Sequence, residues 1–286
     1  MKSYALAWQQ YHLKLGFPPM IMGILNVTPD SFSDGGQFFN PEMAIKHAQQ
    51  MIAHGADIID IGGESTRPFA APVSSDQEIQ RVVPVISALS KSITIPISID
   101  TSKAVVADAA IQAGASIIND ISSLKDPDMA MVARQAGVPV ILMHMQGTPQ
   151  TMQVAPKYEN IIEEIFHELN YYIEKAVHAG IKKEMIIVDP GIGFGKTVGD
   201  NFAIIQHLAR FQDLDVPLLI GSSRKSFIRK TLEKYHPNFL DEPNAIECGT
   251  QATVAVSALN GAQIVRVHNV FQTKITLTLL RAIQND

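Results

Sequence analysis

Cysteine is almost missing from this sequence of 286 residues, in which Cys248 is the only one. A single cysteine excludes an intrachain disulfide and fits a reducing compartment. We expect Cys248 to be a small buried side chain. Since 46% of the residues are hydrophobic and 18% are charged, the chain is apolar enough to bury a sizeable core, and disorder is not expected.

Long apolar runs and a large excess of one charge are missing as well. No apolar stretch approaches the length of a membrane span, and Gln9, Gln10 and His12 interrupt the segment where a secretion signal would need an apolar core. The formal net charge of -5 provides no long-range attraction for nucleic acid. We therefore expect a cytoplasmic protein that binds neither membrane nor nucleic acid, in which a local cluster of cations captures any anionic substrate.

Short runs rich in Ile, Val and Leu recur along the whole chain. Because apolar and polar residues do not alternate in these runs, they predict strands that are buried on both faces and are therefore parallel. The eight runs are 20–25, 57–61, 95–99, 116–118, 139–143, 185–188, 217–220 and 262–267.

Helical patterns separate these runs. Ala44, Ala48 and Met51 belong to one predicted apolar face, and a second helix is expected to begin with a capping box of Ser75 and Glu78 and to kink at Pro84. Strand and helix alternate without a linker, which predicts a single (β/α)8 TIM barrel over 1–286, with 1–18 as an N-terminal extension packed on or preceding it. A doubly wound open sheet is the alternative, but it offers no reason to stop at eight strands.

Polar residues follow every one of the eight predicted strands. A lone Asp or Asn there is more often a turn or a helix cap, and the glycines of 191–195 lack the spacing of a phosphate-binding Walker motif. Eight strands that each deliver such a residue to the same end nevertheless favour an active site, because in a barrel of this kind the carboxyl ends of the strands line it.

The residue types indicate the ligand. Two carboxylates, an amide and an ammonium group, from Asp100, Asp189, Asn119 and Lys225, suit a flat heterocycle whose edge alternates donors and acceptors. Cationic Arg67, Arg266 and His268 suit phosphate, and Asn26 offers a neutral oxygen to a largely hydrated magnesium ion. We expect a heterocycle linked to a diphosphate, with the cations on one flank and the Asp and Asn groups on the other.

Seven motifs resemble those of the dihydropteroate synthase family, in order and over nearly the whole chain. They are GILNVTPDSFSDGG (23–36), DIGGESTRP (60–68), SIDTSK (98–103), IINDIS (117–122), VDPGIGFGK (188–196), SSRKSFI (222–228) and VRVH (265–268).

The resemblance implies an enzyme of folate biosynthesis. Members of this family join 6-hydroxymethyl-7,8-dihydropterin diphosphate to p-aminobenzoate by a dissociative substitution that releases diphosphate, and sulfonamides that mimic p-aminobenzoate inhibit them. The implied cofactor is Mg²⁺, and the implied assembly is a homodimer, for which the last helices would provide the surface.

The motifs also assign residues to each ligand, with Asp100, Lys225, Arg266 and His268 as the catalytic groups. The pterin site comprises Asp100, Asn119, Ile121, Met143, Asp189, Gly221 and Lys225. The diphosphate site comprises Asn26, Thr66, Arg67, Arg266 and His268, with Asn26 as the magnesium ligand. The p-aminobenzoate site comprises Phe32, Thr66, Pro68, Phe194 and Ser226.

Two departures from the family pattern and three rival functions bear on this assignment. Phe69 stands where the family usually has Gly, and Asn269 where Asp is common, but neither removes a charge assigned to chemistry. A pterin-dependent methyltransferase would need no diphosphate cradle, although Arg67 and Arg266 are both present. A non-catalytic pterin-binding protein and an aldolase with Lys225 as its Schiff-base lysine also remain alternatives.

Overall fold

The structure, a computed structural model, describes residues 2–28, 41–65, 72–148 and 151–285. Two of the strands within these ranges form a small sheet, and the others form a large one. The strands are β1 (Tyr4–Trp8), β2 (Tyr11–Leu15), β3 (Met20–Asn26), β4 (Ile58–Gly62), β5 (Ile97–Asp100), β6 (Ile117–Asp120), β7 (Val140–Met143), β8 (Ile186–Asp189), β9 (Leu219–Ile220) and β10 (Ile264–Val267).

Strands β3 to β10 close into a parallel barrel. They pair in the order β8-β7-β6-β5-β4-β3-β10-β9. The outer two strands of this order meet where the backbone N–H of Val188 donates to the carbonyl of Pro217 at 2.9 Å and Val188 bridges Leu218 in parallel. This closure excludes the open sheet and confirms the predicted barrel, in which each of the eight apolar runs overlaps one strand.

The helices pack around the barrel, so its strands are buried on both faces, as all four residues of β7 illustrate. Within the described ranges, no helix combines the length and the apolarity that a membrane crossing requires. The helices are α1 (Pro41–Ala53), α2 (Ser75–Leu89), α3 (Ala104–Ala113), α4 (Met129–Ala136), α5 (Ile161–His178), α6 (Val198–Gln206), α7 (Ser226–Tyr235), α8 (Ala245–Leu259) and α9 (Val270–Asn285), with short 3-10 helices at Lys183–Met185, Leu208–Leu214 and Pro237–Asp241.

Two local expectations are wrong. Helix α2 is capped by Ser74, whose Oγ accepts the backbone N–H of Gln77 at 3.3 Å, because the helix starts at Ser75 itself. Glu78 is therefore not part of a capping box; it is buried and its carboxylate pairs with Lys103 at 2.6 Å. Cys248 is exposed on α8 rather than buried.

The hairpin of β1 and β2 covers the end of the barrel where its strands begin. The carbonyl of Lys2 accepts from Gln263 at 3.2 Å, and the ammonium of Lys2 pairs with Asp215 at 3.0 Å. Both partners precede barrel strands, so the hairpin lies at the end where the strands begin. The opposite end, where the strands finish, is not covered by the hairpin. The apolar side chains that the hairpin buries against the core are Leu6, Trp8, Leu13 and Leu15.

Candidate active site

Polar side chains from neighbouring strands lie at one level where the strands end. In the barrel register, Asn26 lies opposite Gly62, Gly62 opposite Asp100, and Asp100 opposite Asn119. Asp189 occupies the last position of β8. The closed sheet thus brings residues that are far apart in the sequence to one rim.

Arg266 of β10 connects the carboxylate of Asp100 to that of Asp60, which lies within β4. Its Nε donates to Asp60 Oδ2 at 2.6 Å, and its Nη2 donates to Asp100 Oδ2 at 2.6 Å. Asp60 Oδ2 also accepts from the amide of Asn119 at 3.1 Å. The expectation of cations on one flank and the Asp and Asn groups on the other is therefore wrong, because the half-buried guanidinium of Arg266 lies between two carboxylates.

Burial and ion pairing have opposing effects on the pKa values of this group. Burial raises the pKa of Asp100, although the guanidinium of Arg266 opposes the shift. For Arg266, burial disfavours the charged form, but the carboxylates of Asp60 and Asp100 outweigh it and raise the pKa. Among the described residues, no group donates to the buried Oδ1 atoms of Asp60 and Asp100. These two acceptors remain for a ligand or for water.

Asp189 and Lys225 form the other side of the site. Asp189 accepts the backbone N–H of Gly191 at 2.7 Å, and the Lys225 ammonium lies 3.9 Å from the centre of the Phe194 ring. Burial raises the pKa of Asp189 to about 6 and lowers the pKa of Lys225 to about 8. Both charged forms are thus poorly solvated, as at many ligand-binding sites.

Gly221 separates these two sides. A Cβ atom at this glycine would lie 3.8 Å from Arg266 Cβ and 4.0 Å from Asp189 Oδ2. Asp189 and Arg266 therefore lie at the same end of the barrel, which is the condition on which the prediction of one converging site depends.

An apolar cluster separate from the main core borders the polar groups. Ile121 packs against it from the segment after β6. Because β7 places Met143 opposite Asp189, the cluster continues directly from the polar rim. Its buried members are Met143, Met145, Met152 and Phe194.

His268 and Ser226 follow β10 and β9. The imidazole Nδ1 of His268 lies 2.9 Å from the hydroxyl of Ser223, which also accepts the backbone N–H of His268 at 3.2 Å. Ser223 thereby orients the imidazole. Ser226 is the first residue of α7, directly after Lys225, and it is exposed.

Comparison with known proteins identifies the family. Residues 22–268 match the family described as pterin binding enzyme. The sequence is 46% identical to the dihydropteroate synthase of Escherichia coli strain K12 over 264 residues, which are 92% of this chain and 91% of that enzyme. The chain belongs to the dihydropteroate synthase family. A similar relative, from Bacillus subtilis strain 168, is 46% identical over 93% of this chain and 89% of its own length.

Solved structures of the family have the same fold. The Yersinia pestis dihydropteroate synthase in a sulfonamide complex aligns with a TM-score of 0.90 and 43% identity, covering 99% of this chain and 100% of that one. The Xanthomonas albilineans enzyme with 4-aminobenzoic acid aligns with a TM-score of 0.90 and 40% identity over 100% of both chains. The same enzyme with 7,8-dihydropteroate aligns with a TM-score of 0.84 and 38% identity, covering 96% of this chain and 97% of that one.

Part of the site expected for a dihydropteroate synthase lies outside the described residues, namely Phe32, Thr66, Arg67, Pro68 and Phe69. The other residues expected to bind ligands are described, and they lie where the strands end or just after. Their roles toward each ligand remain predictions.

Asp60 was missed when roles were assigned from the sequence. It is fully buried inside β4 and hydrogen-bonds both Arg266 and Asn119. The available signal was an acidic residue between the apolar residues Ile59 and Ile61 of the predicted strand. We assigned no role to it because only its neighbours in space, which the sequence does not reveal, show what it holds.

Proposed function

We propose that this protein catalyses the dihydropteroate synthase reaction, in which p-aminobenzoate and 6-hydroxymethyl-7,8-dihydropterin diphosphate form 7,8-dihydropteroate and diphosphate. The observation that carries the proposal is the convergence of Asp100, Asn119, Asp189, Lys225 and Arg266 at the carboxyl ends of the barrel strands. Membership of the family supports the same activity.

The pterin would bind between the two sides of the site. Its edge alternates N–H donors and acceptors, which suits carboxylate and amide partners. Asp100 Oδ1 is a buried acceptor with no donor among the described residues, and burial destabilises the charges of Asp189 and Lys225. Hydrogen bonds from the ligand would offset these penalties, while Ile121 and Met143 cover its apolar faces.

The carbon–oxygen bond of the pterin methylene would break first, and its electron pair would leave with diphosphate. Arg266 and His268, together with Arg67 from outside the described residues, would neutralise the departing charge. Asp100 would face the cation that remains on the pterin. The uncharged amine of p-aminobenzoate then forms the carbon–nitrogen bond and loses a proton, so the route needs no enzyme nucleophile.

Magnesium is the cofactor that we propose. Asn26 at the end of β3 offers a neutral amide oxygen, and the described residues contain no group of three or more His, Cys, Asp or Glu side chains that could hold a metal. This donor set fits a hydrated Mg²⁺ ion that binds mainly through the substrate's phosphates. When bound, the ion would neutralise part of the charge on the leaving diphosphate.

The p-aminobenzoate site is described only in part. Phe194 provides an apolar ring beside the Lys225 ammonium, and Ser226 at the start of α7 is placed for a carboxylate. Phe32, Thr66 and Pro68 would complete this site. Since the Yersinia pestis relative is solved with a sulfonamide drug, we propose that sulfonamides compete with p-aminobenzoate here.

We further propose that the protein is a homodimer that associates through its last two helices. Exposed apolar side chains at a spacing of four residues form a stripe along α9, and α8 adds two more beside it. Such a stripe is typical of a surface that another chain covers. Sedimentation analysis of a Leu279→Glu variant tests this, and a wild-type monomer would contradict it. The stripe comprises Phe271, Ile275, Leu279 and Ile283, and α8 contributes Val256 and Leu259.

The test of function is an assay of the purified protein with magnesium, the pterin diphosphate and p-aminobenzoate. We expect diphosphate release that depends on the arylamine and yields 7,8-dihydropteroate. Tight pterin binding without turnover would indicate a binding protein instead, and methyl transfer from methyltetrahydrofolate would indicate a methyltransferase.

A further inference from the structure

Lys196 ends the 188–196 motif and has no role in the chemistry proposed above, yet its side chain is only 3% exposed. Its ammonium lies 2.9 Å from the carbonyl of Phe194, 3.0 Å from His144 Nδ1 and 3.4 Å from the carbonyl of His144. Three acceptors thus surround a group with three N–H donors. A buried ammonium is stable only with such partners.

The contact with His144 continues to the outer helices. Burial lowers the pKa of Lys196 to about 7. In its protonated form the lysine can only donate, so His144 Nδ1 then accepts and the proton of the neutral imidazole lies on Nε2. Nε2 is 3.1 Å from the Glu168 carboxylate of α5, which also accepts from the hydroxyl of Tyr172. Lys196, His144 and Glu168 therefore form a chain of hydrogen bonds with a defined direction, which we term the Lys196 chain.

The Lys196 chain ends on the loop that carries Phe194. Gly191, in the same loop, has φ +72°, and a Cβ there would lie 1.9 Å from the carbonyl of His144. The loop is thus packed directly against the end of β7. On its other side, the Phe194 ring contacts the Lys225 ammonium, with 3.9 Å between this group and the ring centre.

We propose that Lys196 is a positioning residue of the active site: anchored by His144 and Glu168, it holds the Phe194 carbonyl directly, and thereby the ring that borders Lys225. The proposal deepens the proposed function and rests on it for its kinetic consequence. Lys196 contacts the site through its hydrogen bond to the Phe194 carbonyl. Its charge also acts on the carboxyl of Asp189, so a test must separate the route through Phe194 from this direct electrostatic effect.

Hydrogen exchange tests the positioning without any substrate. In Lys196→Met, the backbone amides of Gly193 and Phe194 are expected to exchange about tenfold faster, while those of β3 and β4 stay unchanged. Lys91→Met, at an exposed lysine, is the control and should change neither set. Unchanged exchange at 191–196, or equal acceleration everywhere, would overturn the proposal. If Lys196→Met does not fold, Glu168→Gln decides it by the same criterion, with a smaller expected increase.

A double-mutant cycle tests the route through Phe194. We expect Lys196→Met to lower kcat/KM for p-aminobenzoate about tenfold, and to lower it less than twofold when Phe194 is already Ala. Equal losses in both backgrounds would show that Lys196 acts by another path. If the wild type shows no synthase activity at all, the proposed function fails, and the exchange comparison still decides whether Lys196 holds the loop.

Discussion

Two half-buried cations border the same opening, and their charges are balanced in different ways. Arg266 lies 2.6 Å from each of two carboxylates. Lys225 takes part in none of the ion pairs among the described residues and lies against the Phe194 ring. Asp189, which lies on the same side of the site, accepts the backbone N–H of Gly191 and forms no ion pair within 4 Å among the described residues.

This difference indicates that Arg266 stabilises the folded site, whereas Lys225 remains to bind a ligand. A buried ion pair costs several kcal/mol to break, because the remaining charge loses its partner. A buried charge without a partner is itself unfavourable and is stabilised when a ligand arrives. We therefore expect substitutions on the Arg266 side to reduce stability and activity together, and substitutions on the Lys225 side to reduce ligand affinity without reducing stability.

The largest effect is expected for Arg266→Ala, which leaves Asp60 and Asp100 buried without their cation. The free energy of unfolding should fall by about 3–5 kcal/mol, and kcat should fall by about 100-fold because the departing diphosphate loses a charged donor. Urea denaturation and steady-state kinetics measure the two effects. Arg134→Ala, at an exposed arginine of α4, is the control; a variant as stable as this control would remove the proposed contrast.

Lys225→Met should act on binding alone. We expect pterin affinity to fall by about 10- to 100-fold, and the free energy of unfolding to stay nearly the same, because the ammonium forms no close ion pair among the described residues that the substitution would break. Calorimetric titration with the pterin and urea denaturation measure these quantities. Lys230→Met, at an exposed position of α7, should change neither. A loss of stability as large as that of Arg266→Ala would contradict the comparison.

Asp189 is expected to make the free energy of unfolding fall as the pH rises. Burial raises the pKa of this carboxyl to about 6 in the folded state, whereas the unfolded value is about 4. Between these values the folded state holds the additional proton, so stability falls as the pH rises, and the penalty is constant above about pH 6.

Asp189→Asn removes this penalty. The variant should match the wild type near pH 4 and exceed it by about 2–3 kcal/mol at pH 7, while its pterin affinity is reduced. Unfolding measured from pH 4 to 8 gives the difference, with Asp128→Asn at an exposed position as the control. A difference that does not change with pH would show that the carboxyl titrates normally.

The smallest effect on stability is expected for Gly221→Ala. The new Cβ would lie 3.8 Å and 4.0 Å from its nearest neighbours, which is ordinary contact, so the free energy of unfolding should change by less than about 0.5 kcal/mol. Pterin affinity should still fall, because the methyl group occupies the space between Asp189 and Arg266. Affinity equal to wild type would place the pterin elsewhere.

The positions of the strands could be predicted because a parallel strand that is buried on both faces appears in the sequence as a short apolar run. The run 57–61 illustrates it, since every residue of β4 is buried. Local signals were less reliable at element ends, where Ser74 rather than Ser75 caps α2. A cap depends on a single hydrogen bond, and two adjacent serines are equivalent in sequence.

The site was predictable where a residue's position on a strand decides its location. Asp100, Asn119 and Asp189 lie at strand ends, and the barrel topology alone brings them together. Partnerships were not predictable: neither the pairing of Arg266 with Asp60 nor that of Lys196 with His144 follows from spacing, because 206 and 52 residues separate the partners.

The sequence by itself therefore determined the barrel, the family and the set of polar groups at its rim, since each depends on local periodicity or on contiguous motifs. Only the tertiary structure decided which of those groups neutralise one another and which remain for a ligand. The reason is physical: the energy of a buried charge depends on atoms within a few ångströms of it, and in a closed barrel most of those atoms come from distant parts of the chain.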